Sequence, residues 1–288
     1  MNLTPRKVIE QYGIRPSRLM GQSFLTDKNT IQKIVESACI GHKDLVVEIG
    51  AGFGWMTALI AQKARRVIAI EIDSRLCRVL RDRLAEFKNI EIVEMNILQY
   101  DFTEAIKDEK QEKIRMIGNI PYNISSPILF YLLSYRHMIE DMTIMLQKEV
   151  AGRLMAHPGT KAYGIPSIIF QMFADISQVG LVPPTCFYPV PKIHSSVIKV
   201  VFRQNPLYLV NNIEFFIYIV RLAFSKRRKT LLNNLRHPDL PLDIEKALRA
   251  SGIDGKRRAE TFSIEEFAAL SNTIFDLKCR KCGKTLDM

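Results

Sequence analysis

No stretch of this chain stays apolar long enough to cross a bilayer. Its apolar runs are short, as from Pro127 to Leu133, well below the roughly 20 residues a spanning helix needs. The opening residues, Met1-Asn2-Leu3-Thr4-Pro5-Arg6-Lys7, carry no apolar core of the signal-peptide kind. Cysteine is scarce and odd in number, five in 288 residues, which argues against a disulfide framework. Low-complexity tracts and internal repeats are missing. With 47% hydrophobic and 25% charged residues, disordered and collagen-like classes are excluded. The expectation is a soluble protein of a reducing cytoplasm with no membrane partner, large enough for one main domain and a smaller one.

Acid is also in short supply. Lys and Arg number 41 against 30 Asp and Glu, a net charge of +11. A strongly basic soluble protein often meets a polyanion, although solubility alone could account for the charge. Clustering favours the polyanion. Arg221, Lys226, Arg227, Arg228, Lys229 and Arg236 share one segment with no acid between them. A solvated helix face would usually mix its signs. Lys256-Arg257-Arg258 and Lys278, Arg280, Lys281 and Lys284 form two further patches.

From residue 44 to about 205, short β-rich runs alternate with helical stretches. Leu45 to Ile49, Arg66 to Glu71, Ile90 to Val93, Ile114 to Ile117, Met142 to Leu146 and Ser196 to Phe202 read as strands. Helical stretches include Trp55 to Lys63 and Ser74 to Leu84. That alternation implies βαβ units and a mostly parallel sheet. After Asn205 the strand signals stop, and Asn212 to Phe224, Thr230 to Leu235, Asp243 to Ser251 and Ile264 to Ser271 read as helices. The expected organisation is an arm over 1–30, a sheet domain over 31–205, a small helical domain over 206–275 and a basic tail over 276–288.

A glycine loop, Glu48-Ile49-Gly50-Ala51-Gly52-Phe53-Gly54, follows the first of these strands. Glycine lets the chain turn sharply and lets a ligand approach the backbone. A dinucleotide fingerprint needs G-x-G-x-x-G; here Trp55 takes the place of the third glycine, which comes one residue early at Gly54. This argues against a pyrophosphate cradle, and so against a nicotinamide-dependent dehydrogenase. E-x-G-x-G-x-G is instead the loop of S-adenosylmethionine-dependent methyltransferases. Glu71 closes the next strand, where a carboxylate can accept both ribose hydroxyls. Asp73 is its neighbouring alternative.

Gly118-Asn119-Ile120-Pro121-Tyr122 follows another strand. Asn119-Ile120-Pro121-Tyr122 is an N-P-P-Y type motif with Ile in second place, and it suits one chemistry well. An exocyclic adenine amine is a poor nucleophile because its lone pair is delocalised into the ring. Two acceptors aimed at its N–H groups, the Asn119 oxygen and the carbonyl of Ile120 or Pro121, draw the nitrogen toward tetrahedral geometry. Pro121 stiffens the turn, and Tyr122 can stack on an extruded base. In-line placement and polarisation then do the work without a strong base. Alone, the motif could be an ordinary Asn-x-Pro turn; after a strand and downstream of the glycine loop, the functional reading leads.

These motifs together resemble the small-subunit ribosomal RNA adenine dimethyltransferases, the family whose loss confers kasugamycin resistance. Gly21-Gln22-Ser23-Phe24-Leu25-Thr26-Asp27, Glu48 to Gly54, Glu71-Ile72-Asp73, Gly118 to Ser125, Gln147 to Gly164, Phe187 to Lys192 and Arg227 to Leu231 all match its motifs, so the resemblance covers nearly the whole chain. It implies a class I, Rossmann-like methyltransferase fold: an α/β domain with a seven-stranded, mostly parallel sheet and a small all-helical C-terminal domain. The implied activity is dimethylation of N6 on two adjacent adenines near the 3′ end of small-subunit rRNA during ribosome biogenesis, with S-adenosyl-L-methionine as cofactor. The expected cofactor contacts are Gln22, Ser23, Leu25, Gly50, Gly52, Glu71, Asn96 and Asn119. Asn119, Pro121, Tyr122 and Phe187 are the expected catalytic set, with Phe187 on the base face opposite Tyr122 or, equally, a plain core aromatic. Arg221, Lys226, Arg227, Arg228 and Lys229 are the expected RNA contacts. The expected partner is the immature small subunit, met by a monomeric enzyme.

Two residues depart from the family pattern. Asn96 stands where Asp is usual, so a bond to the cofactor's adenine amine loses its charge, and Ser23 stands where Asn is usual. Cys279-Arg280-Lys281-Cys282 resembles half of a zinc ribbon, but a structural zinc takes four ligands, so a basic tail with free thiols and no metal is expected. Two other readings stay open. A large-subunit rRNA methyltransferase of the macrolide-resistance type shares the loop and the Asn119 motif but not the Phe187 and Arg227 segments. A non-catalytic ribosome-assembly factor would have no need of an intact Asn119-to-Tyr122 motif.

Overall fold

The computed structural model describes residues 5–17, 20–107, 113–240 and 243–281. Its strands are β1 (Phe24–Leu25), β2 (Leu45–Ile49), β3 (Arg66–Glu71), β4 (Ile90–Glu94), β5 (Ile114–Asn119), β6 (Ile139–Gln147), β7 (Ala174–Val182), β8 (Phe187–Tyr188) and β9 (Ser195–Phe202). The helices are α1 (Pro5–Tyr12), α2 (Lys28–Ser37), α3 (Trp55–Ala61), α4 (Ser74–Arg83), α5 (Thr103–Ile106), α6 (Ser125–Ser134), α7 (Lys148–Leu154), α8 (Ile165–Phe173), α9 (Ile213–Ala223), α10 (Leu231–Leu235), α11 (Ile244–Ala250) and α12 (Ile264–Lys281).

Seven strands form one sheet in the order β4-β3-β2-β5-β6-β9-β7. From β4 to β6 every pairing is parallel, and β9 runs antiparallel to β6. β2 is buried along its whole length, as a central strand covered on both faces must be, and this explains its unbroken Leu-Val-Val run. β7 escapes the sequence pattern because it is an edge strand. Its middle residues Ser177, Gln178 and Val179 are all exposed, so no apolar alternation announces it. β1 and β8 pair antiparallel as a separate two-stranded ribbon, Leu25 opposite Phe187. The expected arm is thereby stitched to a segment more than a hundred residues away.

The chain divides into two compact units, Met1–Ala151 with Ile176–Phe202, and Gly152–Asp175 with Arg203–Met288. Residues 152–175, read from sequence as part of the sheet domain, group with the helical unit. The reason is α8, whose Ile168, Ile169, Phe170, Met172 and Phe173 are all buried. A helix apolar on every side needs helices around it, and α9 and α12 supply them. Among the described residues after 202 there is no strand.

α9 is capped by Asn212, whose side chain accepts the Phe215 N–H at 2.8 Å. Phe216, Ile219, Val220 and Ala223 form its buried stripe. α12 runs to Lys281, ten residues beyond the expected Ser271. Its continuation keeps Ile274 in the core. Cys279 therefore belongs to a helix, while Cys282, Gly283 and Lys284 lie outside the described residues. No described helix is long and apolar enough to cross a membrane.

Candidate active site

Strand register decides where the site forms. Ile49 lies opposite both Ile70 on β3 and Gly118 on β5. One residue further, Gly50, Glu71 and Asn119 stand in a row at the carboxyl ends of three parallel strands. The strand order reverses between β2 and β5, the place where open α/β sheets hold their ligands. A cleft of about 760 Å³ opens there, lined among others by Gly50, Gly52, Glu71, Asn96, Asn119 and Tyr122.

The glycine loop is built for close approach. Gly52 has φ +57°, a left-handed conformation that favours glycine, and its N–H donates to Glu71 Oε2 at 2.9 Å. Glu71 Oε1 accepts the N–H groups of Ile72 at 2.9 Å and Asp73 at 3.0 Å. Burial pushes the Glu71 carboxyl up, against the pull of these three bonds. One acceptor position on Oε2 is left for a ligand. Asp73, the alternative, is spent. Arg75 holds both its oxygens at 2.9 and 2.6 Å, and Gln22 Nε2 donates to it at 2.9 Å. The Arg75 guanidinium brings its pKa down to about 2.

Glu48 is the residue whose place the loop motif alone did not explain. It is 1% exposed, and neither carboxyl oxygen has a partner within the hydrogen-bond limit. Burial raises its pKa to about 8, with Thr57 pulling the other way. It faces the space behind the loop together with Gly50, Gly52 and Asn119. An acid in the middle of an otherwise apolar strand was the available sequence signal.

Asn119 donates from Nδ2 to the Ser23 carbonyl at 3.1 Å. Its Oδ1 is buried and has no partner. An unpaired buried acceptor costs about 1–3 kcal/mol, so this one is held ready for an N–H from outside the chain. Gly118 behind it must be glycine, because a Cβ there would meet the Ile49 carbonyl oxygen at 2.5 Å. The Pro121 carbonyl already accepts the Ile124 N–H at 3.3 Å, which leaves the Ile120 carbonyl as the better second acceptor. Tyr122 is half-buried, its hydroxyl meets the Ser195 hydroxyl, and burial raises its pKa.

The other expected contacts sit differently from one another. Gln22 lines the cleft but is engaged at both ends, accepting the Ser17 N–H at 2.7 Å and donating to Asp73. The Ser23 hydroxyl turns to the Pro189 carbonyl at 2.8 Å. Leu25 is buried in the core beside Phe187. The Asn96 oxygen caps the short turn at Ile97–Gln99, accepting the Leu98 N–H at 3.1 Å, with a second lone pair left over. Phe187 is 2% exposed and packs with Leu25, Ile31 and Val197. Its ring is a core aromatic, the other reading the sequence left open; the exposed aromatic beside it is Tyr188.

In the helical unit, Arg221, Lys226, Arg227, Arg228 and Lys229 are all exposed. The turn between α9 and α10 presents the last four. Asn234, which is buried, holds that turn from beneath by donating to the carbonyls of Ala223 and Lys226 at 2.5 and 3.2 Å. Arg227 is partly committed, donating to the Lys161 carbonyl at 2.6 Å. Arg257, in the second basic patch, pairs with Glu266 and lies 4.0 Å over the Phe262 ring, so it is a packing residue.

Residues 16–276 match the family model described as ribosomal RNA adenine dimethylase. Ribosomal RNA small subunit methyltransferase A of Syntrophus aciditrophicus is 46% identical over 93% of this chain and 98% of its own length. The protein of that name from Bacillus cytotoxicus is 40% identical over 96% and 97%. Among solved structures, a dimethyladenosine transferase from Plasmodium falciparum superposes with a TM-score of 0.75 at 26% identity, covering 90% of this chain and 98% of that one. The 23S rRNA methyltransferase ErmE reaches 0.66 at 28% identity, over 88% and 99%. With its seven-stranded class I methyltransferase sheet and these matches over most of its length, this chain belongs to the ribosomal RNA adenine dimethylase family.

Proposed function

We infer that the protein transfers methyl groups from S-adenosylmethionine to N6 of two adjacent adenines near the 3′ end of small-subunit rRNA. The observation that carries this reading is the buried, unpartnered Asn119 Oδ1 at the edge of the cleft. It is an acceptor waiting for an N–H, and an adenine amine brings two.

The residues present suit the cofactor. Glu71 keeps an acceptor for a ribose hydroxyl, and the backbone of Gly50 and Gly52 permits close approach. Asn96 offers its second lone pair and its amide N–H groups to an adenine edge. When bound, S-adenosylmethionine supplies an electrophilic methyl group on a sulfonium.

The chain's own part is positioning and polarisation. Asn119 Oδ1 and the Ile120 carbonyl accept the two amine N–H groups and pull electron density onto the nitrogen. Tyr122 stacks on the base, with its hydroxyl fixed by Ser195. The amine becomes acidic once methylated, so its proton passes to solvent without a dedicated base. Lys226 to Lys229 and Arg221 meet phosphates. The natural substrate is the immature small subunit, and the enzyme works as a cytoplasmic monomer.

A second reading, modification of large-subunit RNA, draws on the likeness to ErmE. Higher identity to the small-subunit relatives favours the first. Purified protein with labelled S-adenosylmethionine and unmethylated small or large subunits separates the two. N6,N6-dimethyladenosine is expected from small subunits alone. Label confined to large subunits would establish the second reading, and RNA binding without label would make the protein an assembly factor.

A further inference from the structure

The segment from Tyr188 to His194 lines no part of the cleft, yet it is fastened to the catalytic motif at both ends. In front, the Ser23 hydroxyl donates to the Pro189 carbonyl at 2.8 Å, and the Ser23 carbonyl receives the Asn119 amide at 3.1 Å. Behind, the Ser195 hydroxyl meets the Tyr122 hydroxyl, and the Lys148 N–H donates to the His194 carbonyl at 3.0 Å. Tyr188 itself pairs with Phe24.

This loop turns three large apolar side chains outward. Tyr188 is 40% exposed, Val190 63% and Ile193 41%. Single exposed apolar residues are ordinary on protein surfaces. Three within six residues, on a loop tied to a base-handling motif, need a reason. Pro189 and Pro191 restrict the backbone on either side of Val190, so the outermost side chain is also the most rigidly presented. Lys192, beside it, is exposed.

Drawing a base out of an RNA stack leaves a gap, and the lost stacking is costly. Apolar side chains inserted between bases offset that cost. We propose that the Tyr188–His194 loop is the wedge that supports the RNA stack around the extruded adenine. Val190 enters the gap, Tyr188 and Ile193 pack on the flanking bases, and Lys192 meets a neighbouring phosphate. The bonds through Ser23 and Ser195 hold the wedge in register with Asn119 and Tyr122, so extrusion and polarisation are aimed by one rigid assembly. This rests on the adenine-methylation reading above.

The test compares wild type, Val190→Ser, Val190→Ile and Ile193→Ser on unmethylated small subunits, following kcat, subunit affinity and S-adenosylmethionine affinity together. Val190→Ser is expected to lower kcat about tenfold or more, with both affinities within about twofold of wild type. Val190→Ile should keep the wild-type rate, and Ile193→Ser should fall between. Thermal unfolding should match wild type for both Val190 variants, since Val190 is mostly exposed, and kcat for Ile193→Ser is read on the folded fraction. An unchanged kcat in both serine variants overturns the wedge. So does a loss of subunit affinity in step with rate, which would mark the loop as a docking surface. If Val190→Ser unfolds, Ile193→Ser decides alone by the same criteria. Failure of the wild type to methylate adenine would instead strike the reading on which the wedge rests.

Discussion

Asn119 gives its amide nitrogen to Ser23, and that one bond decides which atom faces the substrate. With Nδ2 committed at 3.1 Å, Oδ1 is the atom left to accept. Asn119→Ala should therefore reduce methyl transfer by about 10²–10³-fold, the scale for removing one preorganised partner of a transition state. RNA affinity should be unchanged. Label incorporation and filter binding on the same preparation check both; a parallel fall in affinity would show that Asn119 serves binding rather than transfer. Glu48 makes a different statement. Its folded pKa near 8 lies above the ordinary 4.5, so between those values the native state keeps a proton that the unfolded chain has lost. Stability then falls as pH rises through that window and levels off above it. Thermal unfolding from pH 5 to 8.5 should show this decline, and Glu48→Gln should flatten much of it. Buried Glu71, whose pKa is also raised, contributes with the same sign and should leave a residual slope.

At the scale of an element, the basic turn between α9 and α10 owes its shape to a neutral residue. Asn234 holds the carbonyls of Ala223 and Lys226, so four like charges are displayed on a backbone fixed from below. Asn234→Ala should cost about 1–3 kcal/mol by leaving those carbonyls without their donor. Denaturant melts measure it. Arg227→Ala with Arg228→Ala should flatten the salt dependence of RNA binding, by about 0.7–0.9 in slope for each phosphate no longer neutralised. Arg227 already serves Lys161, so a change closer to one phosphate than two would identify Arg228 as the phosphate reader. The sequence pattern made this turn conspicuous through its charges. It did not show that Asn234 lies beneath the turn. β7 shows the opposite case, since an exposed edge strand carries too little apolar alternation to be read.

For the whole molecule, an excess of 11 positive charges makes RNA association steep in salt and fast at low ionic strength. Cofactor binding should appear in global stability. S-adenosylmethionine at about 100 times its Kd should stabilise the protein by about 2.7 kcal/mol through mass action. A denaturant titration with and without it checks this, and no shift would argue that the cleft does not hold it. The local turns that line the cleft were legible from the chain alone. The glycine loop follows β2, Glu71 closes β3 and Asn119 closes β5, so strand pattern and turn residues, all near neighbours in sequence, were enough to single them out. The class of fold followed from the alternation of strands and helices. Tertiary structure decided what depends on partners far away in sequence. It joined Ser23 to Asn119 and Pro189, put Phe187 in the core and exposed Tyr188 and Val190, and moved residues 152–175 into the helical unit. A hydrogen bond between residues 96 or 166 positions apart leaves no periodic trace in the chain, because it exists only once the strands have brought both ends together.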